Sequence, residues 1–197
     1  MVSNFDEIEY IGQLEQYIGT NLKYEIINHL IKMYIDNEIY FTFNSINLNI
    51  YLYERDIKIE LAHFETEKLV KANFAMLIRN SLKNGNNYIN PEEIEKCSNL
   101  EELKRICKIH LNEQYYSIGS VQAGKVSIIL DGEYEILLGT ANKNYSIERD
   151  SDTEYIFSRF YNEVSYYVSF LKNLKDYEVI FNENFSEEEI MKLGGYK

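Results

Sequence analysis

The segment KVSIILDGEYEILL, residues 125–138, carries the clearest secondary-structure signal in the chain. Two runs of residues with high β propensity flank Asp131-Gly132, a pair typical of the tight turn of a β-hairpin. The pattern therefore predicts an antiparallel hairpin over residues 125–138. Residues 115–118 and 144–148 are candidates for strands that pair alongside it.

A second hairpin is predicted over residues 46–63. Apolar residues alternate with Asn and Tyr from Ile46 to Tyr53, and the alternation resumes over residues 57–63. Because successive side chains of a strand point to opposite faces, this hairpin has one apolar face and one polar face. The polar face carries two asparagines and two tyrosines, Asn47, Asn49, Tyr51 and Tyr53. Residues 39–43 are predicted to add a third strand.

Helices are predicted where apolar residues recur three and four positions apart behind a capping residue. These segments are residues 3–19, 20–37 and 66–82, a short helix starting at 90–93, and residues 98–111, 151–174 and 186–193. The stretch YEVIF at 177–181 is predicted as a late strand.

The strands are clustered and joined by hairpins, with no regular alternation of strand and helix. This order favours an α+β fold over a parallel doubly wound sheet. Pro91 is the only proline, and no Gly/Ser-rich linker interrupts the chain. We expect a single domain over residues 1–197, with a possible two-half organisation at about 1–85 and 86–197.

The chain has 197 residues and a formal net charge of −12, from 32 acidic and 20 basic residues. A surplus of negative charge repels other polyanions and attracts basic partners. No cluster of Lys and Arg is present that would release counterions from phosphates. We therefore expect a basic protein as partner, and no direct binding to nucleic acid.

Several features indicate a cytoplasmic location. Uninterrupted apolar runs such as residues 128–130 are far shorter than the ~20 residues that a membrane span requires. The first residues contain neither a basic region nor an apolar region of a signal peptide. The two cysteines, Cys97 and Cys107, are too few for a disulfide framework. The abundance of Asn, Ile, Lys and Tyr is typical of an AT-rich genome, which points to a low-GC bacterium or phage.

No catalytic signature is found. Residues 119–125, GSVQAGK, have the spacing of a phosphate-binding loop, but Val126 replaces the expected hydroxyl residue and a strand pattern follows where a helix is required. The three histidines, His29, His63 and His110, are isolated from one another along the chain. We predict neither a cofactor nor a metal, and we assign no catalytic residue.

The leading hypothesis is an acidic protein-binding module, an immunity-type or anti-defence inhibitor that covers the basic surface of a toxin or nucleic-acid-acting enzyme. Tyrosine offers a large contact area at low entropic cost, so the polar face of the first hairpin is the candidate surface. The candidate partner-binding residues are Tyr51, Tyr53, Asn47, Asn49, Glu187, Glu188 and Glu189. The alternatives are a small enzyme with a carboxylate or Cys-based site, and a homo-oligomeric structural or regulatory protein, so a homodimer is possible.

Overall fold

The computed structural model describes residues 6–55, 57–83 and 91–196. These residues form six helices and two mostly antiparallel sheets, one of five strands and one of four, which confirms the predicted α+β class. The helices are α1 (Glu7–Ile18), α2 (Glu67–Leu82), α3 (Glu92–Glu95), α4 (Leu100–His110), α5 (Thr153–Phe181) and α6 (Glu187–Leu193). The strands are β1 (Lys23–Ile27), β2 (Leu30–Tyr34), β3 (Ile39–Asn44), β4 (Asn49–Glu54), β5 (Ile57–His63), β6 (Tyr116–Ile118), β7 (Val126–Asp131), β8 (Glu133–Gly139) and β9 (Asn144–Asp150).

The chain divides into two compact units. Unit 1 consists of Met1–Asn86 and Asn173–Glu189, and unit 2 of Asn87–Lys172 and Ile190–Lys197. Each unit contains one of the two sheets. Helices α5 and α6 contribute residues to both units.

The sheet of unit 1 is a meander in which the five strands pair in sequence order, β1-β2-β3-β4-β5. Its apolar face packs against α1 and α2. Phe43 on β3 lies at the centre of this core, with its ring centroid 6.2 Å from that of Tyr10 on α1 and 5.6 Å from that of Phe74 on α2. The opposite face of the sheet carries mostly polar and aromatic side chains, because the residue type alternates along each strand.

The hairpin predicted over residues 46–63 is confirmed as β4 and β5, and the third strand as β3. Strand β4 begins at Asn49, later than predicted. The side-chain Oδ1 of Asn44 accepts hydrogen bonds from the backbone N–H groups of Ile46 and Asn47. This Asx turn competes with strand extension and holds Ile46 and Asn47 in the loop before β4.

The helix predicted over residues 20–37 is wrong, because this segment is the hairpin of β1 and β2. Asn28 and His29 both adopt positive φ, at 47° and 66°, as the two-residue turn of a hairpin requires. The turn places Ile27 opposite Leu30 and Ile26 opposite Ile31. Chain reversal thus brings together apolar residues whose sequence spacing resembles that of a helix.

The sheet of unit 2 has the order β6-β7-β8-β9. The hairpin predicted over residues 125–138 is confirmed as β7 and β8, with Asp131 paired to Glu133 around Gly132, which has a φ of +77°. The two flanking segments also form strands. Strand β9 is antiparallel to β8, whereas β6 is parallel to β7 with Tyr116 opposite Val126.

The remaining helix predictions hold, with corrections at their ends. The N-cap residues of α1, α2 and α4 are Asp6, Thr66 and Asn99. Their side chains accept hydrogen bonds from backbone N–H groups in the first turn of each helix. Asp152 rather than Ser151 accepts the first N–H groups of α5. The predicted starts at Ser3 and Asn90 lie outside the described residues.

The strand predicted at 177–181 is wrong, because α5 continues through it to Phe181. Leu174, Tyr177 and Phe181 extend the buried stripe of this helix at spacings of three and four. The β-branched Val179 lies on the outside and is 75% exposed. Tertiary burial of the aromatic stripe therefore overrides the local β propensity.

Candidate functional site

A row of three tyrosines crosses the polar face of the sheet in unit 1. The strand register places Tyr34 opposite Tyr40 and Tyr40 opposite Tyr53. The ring centroids of Tyr40 and Tyr53 are 4.7 Å apart with an interplanar angle of 8°, and those of Tyr34 and Tyr40 are 5.6 Å apart. We call these three residues the tyrosine row. Such cross-strand aromatic pairs stabilise a sheet and fix the orientation of each ring.

Lysine side chains lie against the rings of this face. The Nζ of Lys32 is 4.1 Å from the ring centroid of Tyr40 and 4.7 Å from that of Tyr34. The Nζ of Lys58 is 3.7 Å from the centroid of Tyr51. Interaction with Tyr34 raises the pKa of the Lys32 ammonium. Lys32 therefore stays charged at neutral pH, and both lysines hold the rings in place by cation–π contacts.

Asn49 and Tyr51 form a second, polar part of the same face. The Nδ2 of Asn49 donates a hydrogen bond of 2.9 Å to the Tyr51 hydroxyl, and its Oδ1 contacts Nδ1 of His63 on β5. Asn49, Tyr51 and Tyr53 are half-buried and lie on one face, as the alternating pattern predicts. Asn47 is exposed in the turn before the strand. We call the tyrosine row together with Tyr51 and Asn49 the tyrosine face.

The acidic run Glu187–Glu189 lies on a helix and not on the sheet of unit 1. It forms the first turn of α6, where Ser186 and Glu189 make a reciprocal capping box through 2.9 Å and 3.3 Å hydrogen bonds. Glu189 also pairs with Lys68 of α2 at 2.6 Å. Helix α2 packs against the apolar face of the sheet, so this run lies with the helices and not with the tyrosine face.

Sequence reasoning missed Tyr34 and Lys32 because the segment that holds β2 was predicted to be helical. It missed Tyr40 because the predicted third strand was not assigned to a face. The available signal was the pair Asn28-His29 between two short runs rich in isoleucine. Asn and His are among the residues that most readily adopt positive φ. Once that turn is recognised, strand alternation places Lys32 and Tyr34 on the face opposite Ile31 and Met33.

Charged side chains of both signs surround the tyrosine face. The exposed acids on these strands and their turns outnumber the exposed bases. The acids are Glu25, Asp36, Glu38, Glu54 and Glu60, and the bases are Lys23, Arg55 and Lys58. Arg55 is already paired with Glu38 at 2.9 Å. With the half-buried Lys32 also counted, the acids still outnumber the bases, so the net charge around the face is negative.

Unit 2 contains a cavity of about 450 Å³ between β9, α5 and the segment that follows α6. Its buried Glu163 accepts a 2.9 Å hydrogen bond from the Tyr196 hydroxyl and forms a 3.0 Å ion pair with Nη2 of Arg159. Burial and the neighbouring carboxylate raise the pKa of Tyr196 well above its usual value. The Nε of Arg159 also lies 4.0 Å from Oε2 of Glu148. Both oxygens of Glu163 are thus occupied by groups that stabilise the fold.

The two cysteines and the loop of residues 119–125 have structural roles. Burial raises the pKa of Cys107 to about 12 and that of Cys97 above its usual value, so both thiols are protonated at neutral pH and weakly nucleophilic. Residues 119–125 connect β6 to β7, and a strand follows at Val126 instead of a helix. In the part of the chain that the structure describes, no group of three or more His, Cys, Asp and Glu side chains has the geometry of a metal site.

Comparison with protein families, with curated proteins and with solved structures finds no match for this chain. Among the described residues, no helix combines the length and the apolar character needed to cross a bilayer.

Glu183 in unit 1 is expected to make stability depend on pH. One carboxylate oxygen, Oε2, is buried without a hydrogen-bond partner among the described residues, and burial raises the pKa of the group. A raised pKa means that the folded state favours the protonated acid, so stability falls as the pH rises from the unfolded pKa of about 4.3 through the folded value.

We therefore expect Glu183→Gln to raise the Tm at about pH 7 and to leave it unchanged at about pH 3.5, where the native acid is protonated in both states. Thermal unfolding followed by circular dichroism at the two pH values measures this difference. Glu54→Gln, at an exposed position of the same unit, is the matched control. A lower Tm of the Glu183 variant at neutral pH would show instead that attraction to Lys68 and Lys71 outweighs desolvation.

Proposed function

We propose that this chain is a protein-binding module that docks a basic partner protein on the tyrosine face of unit 1. The kind of module is an immunity-type or anti-defence inhibitor, whose partner is a toxin or a nucleic-acid-acting enzyme. The observation that carries the proposal is the continuous row of Tyr34, Tyr40 and Tyr53, held by lysines on the sheet face opposite the one that α1 and α2 cover.

Rigidity is the first argument for a docking role. The rings are fixed by one another and by Lys32 before any partner arrives. Binding then costs little side-chain entropy, which is one of the main costs of association. Tyrosine is also among the residues that most often dominate the energy of protein interfaces.

Electrostatics is the second argument, because the charge of this protein determines the sign of the charge that a partner surface must carry. The net charge is −12, and exposed acids outnumber exposed bases around the tyrosine face. Complementary charge raises the association rate and disfavours acidic competitors. The partner surface should therefore carry lysines or arginines that meet residues such as Glu25, Glu54 and Glu60.

The ring arrangement argues against direct recognition of nucleic-acid bases. Proteins that bind single strands offer free aromatic faces on which the bases stack. Here one face of Tyr53 is covered by Tyr40, and Lys32 lies over Tyr34 and Tyr40, so these rings offer fewer free faces than such a stacking surface does. A phosphate backbone would in addition be repelled by the net negative charge.

The test compares immobilised wild-type protein with Tyr53→Ala in capture from a lysate of the host cells, with quantitative mass spectrometry. We expect one basic protein to be retained at about 50 mM salt and lost at high salt, because screening weakens charge complementarity. We expect the Tyr53→Ala variant to retain at least about tenfold less of it, as truncation of an interface anchor does.

Tyr24→Ala is the matched control. Tyr24 is 41% exposed on the same sheet but lies on the opposite face, where it pairs with Met33. Circular dichroism establishes that each variant is folded. Equal capture by wild type and Tyr53→Ala, equal loss with Tyr24→Ala, or retention of an acidic protein would each contradict the proposal.

A further inference from the structure

Strand β5 is an exposed and apolar sheet edge. It is the last strand in the order of the five-stranded sheet, so one side of its backbone has no strand partner among the described residues. Six of its seven residues are exposed, and Ala62 is half-buried. Ile57 is 64% exposed, Ile59 42% and Leu61 39%. Edges of this kind are templates for pairing with another strand.

The charges on β5 do not protect this edge from a copy of itself. Lys58 and Glu60 both point to the tyrosine face, opposite Tyr53 and Tyr51 respectively. Proteins block edge pairing with repelling charges, prolines or β-bulges. The bulge between β4 and β5 leaves Leu61 without a partner on β4, just beyond the segment Lys58–Glu60. Lys58 and Glu60 have opposite signs, two positions apart, and such a pair is complementary to itself in an antiparallel arrangement.

We propose that β5 is a dimerisation edge, and that it pairs antiparallel with β5 of a second copy about a two-fold axis at Ile59. In this register Ile59 faces Ile59 of the other copy on the apolar face of the sheet. Lys58 then faces Glu60 of the other copy, and Glu60 faces its Lys58, on the tyrosine face. A register shifted by two residues, with the axis at Glu60, would set the two glutamates against each other.

The pairing links two five-stranded sheets into one continuous sheet, with the tyrosine faces of both copies on the same side. Opposite-charge and apolar pairs directly across a strand interface each stabilise it modestly. A single short strand buries less surface than a standard interface, so the dimer is weak and depends on concentration. This inference does not rest on the proposed function, because it concerns the strand edge and not the binding of another protein.

Charge reversal tests the register. In sedimentation velocity from about 5 to about 500 µM, the wild type should approach twice the monomer mass of 23.4 kDa at the highest concentrations. Lys58→Glu sets like charges opposite each other at two places and should weaken the dimer at least about tenfold, and Glu60→Lys should do the same. The double variant restores both opposite-charge pairs and should dimerise again.

An equimolar mixture of the two single variants makes a sharper test. The Lys58→Glu chain carries acids at both positions of the strand, and the Glu60→Lys chain carries bases at both. Each acid of the first chain would face a base of the second, so a heterodimer should form where neither variant self-associates. Lys104→Glu, an exposed position on α4, changes the net charge by the same amount as Lys58→Glu and is the control that should dimerise like wild type.

A cysteine at the axis gives an independent readout. Residues directly opposite in an antiparallel pair have Cα atoms about 4.5–5.5 Å apart, within the range that a disulfide spans. Ile59→Cys should therefore form a covalent dimer on mild oxidation. Ile57→Cys is the matched control, because in this register its two copies are offset by about 13 Å along the strands. The native Cys97 and Cys107 are buried.

Three results would overturn the inference: a constant monomer mass over the whole concentration range, a dimer that Lys58→Glu leaves unchanged, or equal cross-linking of the two cysteine variants. Loss of partner capture by Tyr53→Ala has no bearing on these measurements. Failure of the dimer and failure of the proposed function are therefore distinguishable.

Discussion

Phe43→Ala is expected to lower the free energy of unfolding of unit 1 by about 3–5 kcal/mol, the usual cost of truncating a buried phenylalanine. Phe43 has no exposed surface and lies on the central strand β3. Its ring contacts both helices that cover the sheet, through Tyr10 of α1 and Phe74 of α2. The alanine would leave a cavity where these three elements meet, and aromatic neighbours of fixed orientation have little freedom to fill it.

Urea unfolding measures this loss, followed by far-UV circular dichroism and by tyrosine fluorescence, because the chain has 18 tyrosines and no tryptophan. Ile46→Ala is the control, since Ile46 is 73% exposed in the turn before β4 and should change stability by less than about 0.5 kcal/mol. A loss below about 1 kcal/mol for Phe43→Ala would mean that β3 is not the centre of the core.

Elements whose signals are local were predictable from the sequence. The two hairpins each contain a turn signal between alternating runs, and the helices α1, α2 and α4 each begin at a residue whose side chain caps them. These signals act within a few residues, so no tertiary information is needed to read them. The α+β class follows from the clustering of such elements.

The errors arose where tertiary contacts decide between two local options. Residues 20–37 carry apolar spacings that fit a helix, and only the positive φ values at Asn28 and His29 resolve them into two strands. Residues 177–181 have high β propensity, yet the burial of Tyr177 and Phe181 continues the helix. The parallel pairing of β6 with β7 is likewise a non-local contact that periodicity does not reveal.

The candidate site was half predictable for the same reason. Tyr51 and Tyr53 follow from alternation within one hairpin, and the structure places them on one face with Asn49. Tyr34 and Tyr40 join them only through the register of neighbouring strands. A surface assembled across three strands is a property of the sheet, so sequence reasoning identified only the residues of a single hairpin.

The close approach of a loop to β8 in unit 2 leads to the second large effect. At Gly139, an added Cβ would lie 2.3 Å from the carbonyl oxygen of Gln122 and 2.9 Å from its carbonyl carbon. These are backbone atoms of the loop 119–125, which is itself held to the strand by two hydrogen bonds. The N–H of Gly124 donates to the carbonyl of Gly139 at 2.8 Å, and the N–H of Gly139 donates to the carbonyl of Lys125 at 3.1 Å.

Gly139→Ala should therefore destabilise unit 2 by about 1–3 kcal/mol, the usual cost of forcing extra atoms into a packed site. The loop must move away to admit the methyl group, and both hydrogen bonds then lengthen. Gly12→Ala is the matched control, because Gly12 is a solvent-exposed residue in the middle of α1 and its added Cβ would meet no atom within 4 Å. That substitution should stabilise the protein by about 0.5–1 kcal/mol, since alanine has the higher helix propensity. Thermal and urea unfolding of both variants should thus give effects of opposite sign, and a Gly139→Ala protein as stable as wild type would show that the loop does not cross the strand at this distance.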